Sequence, residues 1–168
     1  MLTPTLPHRL RLWRACRPDF GAQGAARRLY VLETSERDWD LLLRAVRRGP
    51  WPHRFSLDAL VAPLPRYGIE AFAAWRQAVP LLELAVGPAV VRCHFRGVQQ
   101  IELELDPAEV GDPDALEALV RFMAWLGRVL ERTVLLAPDD APERPILEYV
   151  DATRRVRFHA AAEWRGSG

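Results

Sequence analysis

Apolar and polar positions change period several times along the chain, and each change marks an element. Residues 29 to 33 form a short apolar run that predicts a first core strand. The period shifts at Thr34 and Ser35, where Ser35 can cap a helix with Asp38 three residues on. Trp39, Leu42, Leu43 and Val46 then recur at the spacing of one buried helical face, and Gly49 with Pro50 ends it. The stretch 51–65 is rich in proline, with a short helical pattern after Ser56 in which Leu57, Leu60 and Val61 share a face. It reads as a packed connection within one domain. A second helix is expected from about Gly68 to Ala78, with Ile69, Phe72, Ala73 and Trp75 turned inward and Pro80 closing it.

From Leu81 the period becomes two, so 81–86, 89–95 and 99–105 read as consecutive strands of an antiparallel meander turning at Gly87–Pro88 and at Arg96–Gly97–Val98. In the third, Ile101, Leu103 and Leu105 alternate with Glu102, Glu104 and Asp106, giving one core face and one acidic, wet face. Asp112 followed by Pro113 is a helix start, because the carboxylate accepts from free first-turn amides and proline has no donor to lose there. That helix runs to about Glu131. Leu116, Leu119, Val120, Met123, Leu126 and Leu130 form its main stripe, and Ala118, Phe122, Trp125 and Val129 form a second beside it. So wide a stripe implies burial on two sides, against the sheet and against either earlier helices or a second copy in a homodimer. Strands over 133–137, 146–150 and 156–159 complete the pattern, with an acidic loop, Pro138 to Pro145, between the first two. The expected fold class is α+β, a mostly antiparallel sheet of about six strands with helices packed on one face.

Composition bounds this picture without changing it. The 168 residues are 49% hydrophobic, the usual makeup of a globular domain of this size. The expected organisation is a flexible basic arm over 1–27, one domain over 28–160 and a frayed tail over 161–168. Arg9 to Arg14 also alternates enough for an edge strand. All 23 basic residues are arginine and there is no lysine or asparagine, which reads as the mark of a GC-rich, bacterial genome. Codon usage therefore accounts for the arginines without any demand for phosphate recognition. The net charge of +1 argues against a nucleic-acid or membrane-surface protein, and no apolar run reaches the roughly 20 residues that span a bilayer. The first 30 residues lack a hydrophobic signal core, and Cys16 and Cys93 stand far apart outside any ligand spacing. A cytoplasmic protein with two free thiols is the expectation.

No motif carries chemistry. Nucleotide-binding glycine loops and serine elbows are absent, and a chain without lysine has no phosphate-cradling or Schiff-base lysine. His8, His53, His94 and His159 are scattered, so no metal and no cofactor is expected. Cys93 and His94 are adjacent on a strand and point to opposite faces, which makes Cys93 a buried structural residue. Charge is the uneven feature: between Arg96 and Arg121 there is no base, but there are seven acids. Acids on a wet strand face and at a helix start are ordinary. The sharper reading is one acidic surface of Glu102, Glu104, Asp106 and Glu109, extended by Asp139, Asp140 and Glu143, that docks a basic protein partner. Trp51, Tyr67, Trp75 and the second stripe of the long helix are the other candidates for contact.

A compact mixed α and β chain with no catalytic motif and an acidic strand–helix region resembles, in type, bacterial immunity proteins that neutralise toxins. The resemblance implies a small non-catalytic interaction module. Two alternatives come from other classes. One is an enzyme with a tertiary site pairing Glu102 or Asp106 with His94 or His159. The other is a nucleic-acid-binding accessory protein using the arginine-rich start and Arg154, Arg155 and Arg157, for which a charged edge strand is the plainer account.

Overall fold

A computed structural model gives the structure of the chain, and residues 6–21 and 25–159 are described. The fold is α+β, as the periodicity implies. Helix α1 (Leu6–Cys16) and a 3-10 turn (Arg17–Phe20) precede strand β1 (Arg27–Leu32) and helix α2 (Glu36–Arg48). A hairpin of β2 (His53–Leu57) and β3 (Leu60–Val61) leads to α3 (Gly68–Ala74). The meander β4 (Pro80–Val86), β5 (Ala89–His94) and β6 (Gln100–Leu105) follows, then α4 (Pro113–Leu130). Strands β7 (Val134–Pro138), β8 (Leu147–Val150) and β9 (Arg155–Phe158) end it. All nine strands join one antiparallel sheet in the order β3-β2-β4-β5-β6-β1-β7-β8-β9.

The sheet is wider than the expected six or so strands, and two strands that were not expected come from the 51–65 stretch. Asp58 and Ala59 both have positive φ, 47° and 65°, so they make the tight two-residue turn that pairs Leu57 with Leu60. Glycine and asparagine normally announce that turn, and neither is present. Leu57, Leu60 and Val61 therefore sit on a hairpin and not on a short helix.

One sheet face carries the core. Leu29, Val31, Leu82, Leu84, Val91, Cys93, Ile101, Leu103, Leu105, Val134, Leu136 and Leu147 are all fully buried beneath the helices. Ser35 and Asp38 start α2 as their spacing implies: the Ser35 N–H and hydroxyl both donate to Asp38 Oδ2, at 2.8 and 3.0 Å. Asp112 Oδ1 accepts from Ala115 N at 2.8 Å at the head of α4. Phe122 is fully buried and Trp125 half-buried, and both meet the Trp51 ring edge-on, at 5.3 and 6.1 Å between centroids. The second stripe of α4 is thus covered within the chain, which removes the sequence argument for a homodimer.

Helix α3 is rotated from its expected phase. Its inward residues are Gly68 and Ala71, with Phe72 half-buried, while Ile69 is 54% exposed. A side chain at 68 would meet Trp39 Cβ at 2.7 Å, so the glycine sets how closely α3 approaches α2. Residues 6–20 also depart from the expected arm and edge strand. They are helical, and Cys16 and Phe20 enter the core. Arg9 ion-pairs with Asp114 and Glu117, fastening α1 to α4. Residues 1–5, 22–24 and the expected tail lie outside the described residues.

Candidate functional site

Among the described residues, no helix covers the opposite face of the sheet. Cross-strand registers place Arg54, Glu83, Arg92, Glu104 and Arg28 side by side across β2, β4, β5, β6 and β1, alternating in sign at every step. Such a row holds charges at the separation where opposite signs attract and like signs would repel. A parallel row runs His94, Glu102, Tyr30, Leu135, Glu148 and Arg157.

Arg28 is the hub of this face. Its guanidinium lies 2.8 Å from Glu102, 3.5 Å from Glu104 and 2.8 Å from Asp139, with only 10% of the side chain exposed. Burial alone would lower its pKa, but Asp139, Glu102, Tyr30 and Glu104 outweigh that and push it above the ordinary arginine value. Tyr30, 3% exposed, accepts through its hydroxyl from Asp140 N at 3.0 Å. Together the two residues pin the 138–145 loop onto the bare face.

The seven acids singled out from the sequence are therefore divided among separate duties. Glu102, Glu104 and Asp139 converge on one arginine, and Glu102 also accepts from Gln100. Asp106 caps the 3-10 turn Pro107–Glu109 by accepting from Ala108 N at 2.9 Å. Glu109 accepts from Val90 N at 3.0 Å, taking the place of a strand neighbour where β6 has ended. Asp140 and Glu143 are exposed, the latter 3.5 Å from Arg144. Four of the seven are paired with an arginine of the same chain and two accept from backbone amides, so they do not present one contiguous free acidic surface.

The proposed histidine sites separate likewise. His94 and Glu102 are cross-strand neighbours and line a concavity of about 490 Å³ with Arg96, Gly97, Val98, Gln99 and Gln100. Burial, then Arg96, lower the His94 pKa, which leaves the ring neutral near pH 7. His159 is bound to Glu148 at 2.8 Å. Glu148 is on β8, four strand spacings from β5, or about 19 Å from His94. Asp106 lies beyond the far end of β6 from the concavity. The thiols are inert: burial pushes Cys16 up to about 12 and Cys93 further. No group of three His, Cys, Asp or Glu among the described residues is placed to hold a metal ion. Arg155 and Arg157 are exposed on the edge strand β9, where charge blunts pairing with another sheet.

The most uneven surface is elsewhere. Among the described residues eight large apolar side chains are strongly exposed, and six of them fall between 60 and 79: Leu60, Val61, Tyr67, Ile69, Trp75 and Val79. Leu60 and Val61 are 75% and 72% exposed. The elements carrying them are tied at one end of the sheet. Asp58 N donates to Val79 O at 3.0 Å, Val79 N donates to Asp58 Oδ1 at 2.8 Å, and Trp75 Nε1 donates to Phe95 O at 2.5 Å. Tyr67 and Trp75 were candidates from sequence; Leu60, Val61 and Ile69 looked like core residues, the first two because the turn before them carries no glycine or asparagine and Ile69 because the phase of α3 differs from the expected one.

No protein-family model matches the chain, and no curated protein or solved structure matches it either.

Proposed function

We propose that the chain is a small non-catalytic protein-interaction module that meets its partner at the β3 end of the sheet. The observation that carries this reading is the crowding of exposed apolar side chains into residues 60–79. Surface of that kind gains free energy when a partner removes it from water, at about 25 cal/mol per Å². A strained turn supports the reading. Ala59 sits at φ 65° and Asp58 at 47°, and together they hold out Leu60 and Val61, whose own burial adds little to the fold. An immunity-type neutraliser falls within the proposal, with its target engaged by this end and not by the carboxylates around Arg28.

The test compares the wild type with Leu60→Asp and Ile69→Asp as baits in cells of the native source. A protein retained by the wild type and lost from both variants, at unchanged melting temperature, supports the module. Identical recovery by all three baits, or no specific protein with any, removes it.

A second reading, an acid–base site at His94 and Glu102, has one observation in its favour: the two share a face beside a concavity. Against it, Glu102 is already engaged by Arg28 and by Gln100.

A further inference from the structure

We infer that β9, at the opposite edge of the sheet from β3, takes an extended segment of a partner protein as a further antiparallel strand, with carboxylates at alternate positions facing Arg155 and Arg157. The inference does not rest on the β3 end and names a second surface.

The register of β9 fixes which backbone groups are on offer. Leu147 stands opposite Phe158 and Tyr149 opposite Val156, and His159 N donates to Ile146 O at 2.9 Å. Bonded and unbonded residues alternate in an antiparallel pair, so Arg155 and Arg157 direct their N–H and C=O at β8, whereas those of Val156 and Phe158 point away from it. The sheet ends at β9, and among the described residues nothing bonds to these outward groups. The strand is also held ready for pairing, because the Val156 and Phe158 side chains pack against the core on the helix side. The other edge is less suited: β3 is two residues long and Pro63 follows with no N–H to offer.

Side-chain direction sets the partner's chemistry. Alternation puts Arg155 and Arg157 on the bare face, both exposed and neither in an ion pair among the described residues. Between 146 and 159 the carboxylates are Glu148 and Asp151. Glu148 stands opposite Arg157 but binds His159 at 2.8 Å, and Asp151 lies in the turn before β9, where Arg154 balances its charge. An antiparallel neighbour bonded to Val156 and Phe158 sets every other side chain beside the two arginines, at the separation where opposite charges attract and like charges repel. Carboxylates suit those positions, and apolar side chains suit the ones between them, beside Val156 and Phe158.

The same geometry disfavours a second copy of this chain. Antiparallel pairing centred on Val156 sets Arg155 of each copy against Arg157 of the other, and pairing centred on Arg157 sets that residue against itself. The charge that blunts pairing between copies thus selects a strand of the opposite sign. Nucleic acid is drawn to the arginines, but the outward carbonyls of Val156 and Phe158 lie along the same edge as the amides and repel phosphate.

The test titrates short fluorescent peptides that alternate valine with glutamate, or valine with lysine, into the full chain. The glutamate peptide is expected to bind at least about tenfold more tightly, and Arg155→Glu with Arg157→Glu should reverse the preference. N-methylation of its valines, whose amides would face β9, should weaken it at least about tenfold, whereas N-methylation of its glutamates, whose amides would face solvent, should be tolerated. Val156→Pro removes an outward N–H without touching the bonds to β8 and should weaken binding too, while Leu60→Asp at the far edge should leave it unchanged, with thermal melts showing that each variant is folded. Equal binding of the two peptides overturns the inference, and so does undiminished binding of the valine-methylated peptide, which requires no folding of a variant. Failure of the wild type to bind the glutamate peptide overturns it as well, as does tighter binding of an oligothymidylate or a dimer in sedimentation velocity that Val156→Pro dissolves.

Discussion

Arg28→Met would remove the cation from between Glu102, Glu104 and Asp139 while keeping an apolar stem of similar length. The guanidinium is 10% exposed and Glu102 13%, so this pair is largely withdrawn from water. Deleting one partner of a buried pair costs about 3–5 kcal/mol, chiefly by stranding the other charge. Glu104 and Asp139 keep about a third of their side chains in solvent, which returns part of the loss. A net destabilisation of about 2–4 kcal/mol follows. For a domain of this size that is a fall in Tm of roughly 4 to 16 °C. Urea unfolding followed by tryptophan fluorescence measures it, with an unchanged slope required for a two-state comparison. Adding Glu102→Gln, Glu104→Gln and Asp139→Asn to the variant should restore most of the stability, because the stranded charges are then gone. A loss below about 0.5 kcal/mol, or one that the neutral amides do not recover, refutes the hub. Reversing Glu102 and Glu104 to arginine would set two more guanidinium groups beside Arg28 on a face that already carries Arg92. Such a variant tests folding before it tests any partner.

Gly127→Ala sets two effects in opposition. Alanine favours the helix by about 1 kcal/mol, but its Cβ would lie 2.1 Å from Tyr149 Cδ1 and 3.0 Å from the Arg132 carbonyl. Tyr149 is fully buried, so the clash should win and cost about 2 kcal/mol net in a denaturant melt; a gain in stability would show that β8 yields. Asp38→Asn weakens the cap of α2 and the 3.1 Å pair with Arg132, a loss of about 1 kcal/mol at pH 7. Burial alone would raise the Asp38 pKa, but the bonds from Arg132 and Ser35 outweigh it and hold the carboxyl below its ordinary value. Its contribution is therefore complete above pH 4 to 5 and lost as pH falls through the folded pKa, so wild type and variant should converge as pH falls below the ordinary aspartate range. A difference that persists there contradicts the assignment.

The elements legible in the sequence are those whose signals are local. Ser35 with Asp38 and Asp112 with Pro113 announce their helices within four residues, and the alternation from Ile101 to Leu105 fixes which side of β6 is buried. The β2–β3 hairpin was hidden because Asp58 and Ala59 make its turn without glycine. The phase of α3 was hidden because Gly68, which carries no side chain to count as apolar, is the residue that meets Trp39. The fastening of helix α1 depends on Arg9 meeting acids more than 100 residues later.

The candidate surface inverted for the same reason. A run of acids without bases, as between Arg96 and Arg121, records charge along one strand and the helix that follows, but neutralisation acts across strands. Arg28 stands opposite Glu104 only because the register of β1 with β6 puts it there, and it reaches Asp139 only because that loop folds back over Tyr30. Exposure works in the opposite direction. Leu60 and Val61 read as core residues until the turn before them is known, and then they stand at the end of the sheet, with no strand beyond β3 among the described residues. The carboxylates that looked free meet an arginine across the sheet, and the aliphatic side chains that looked buried are the ones that solvent reaches.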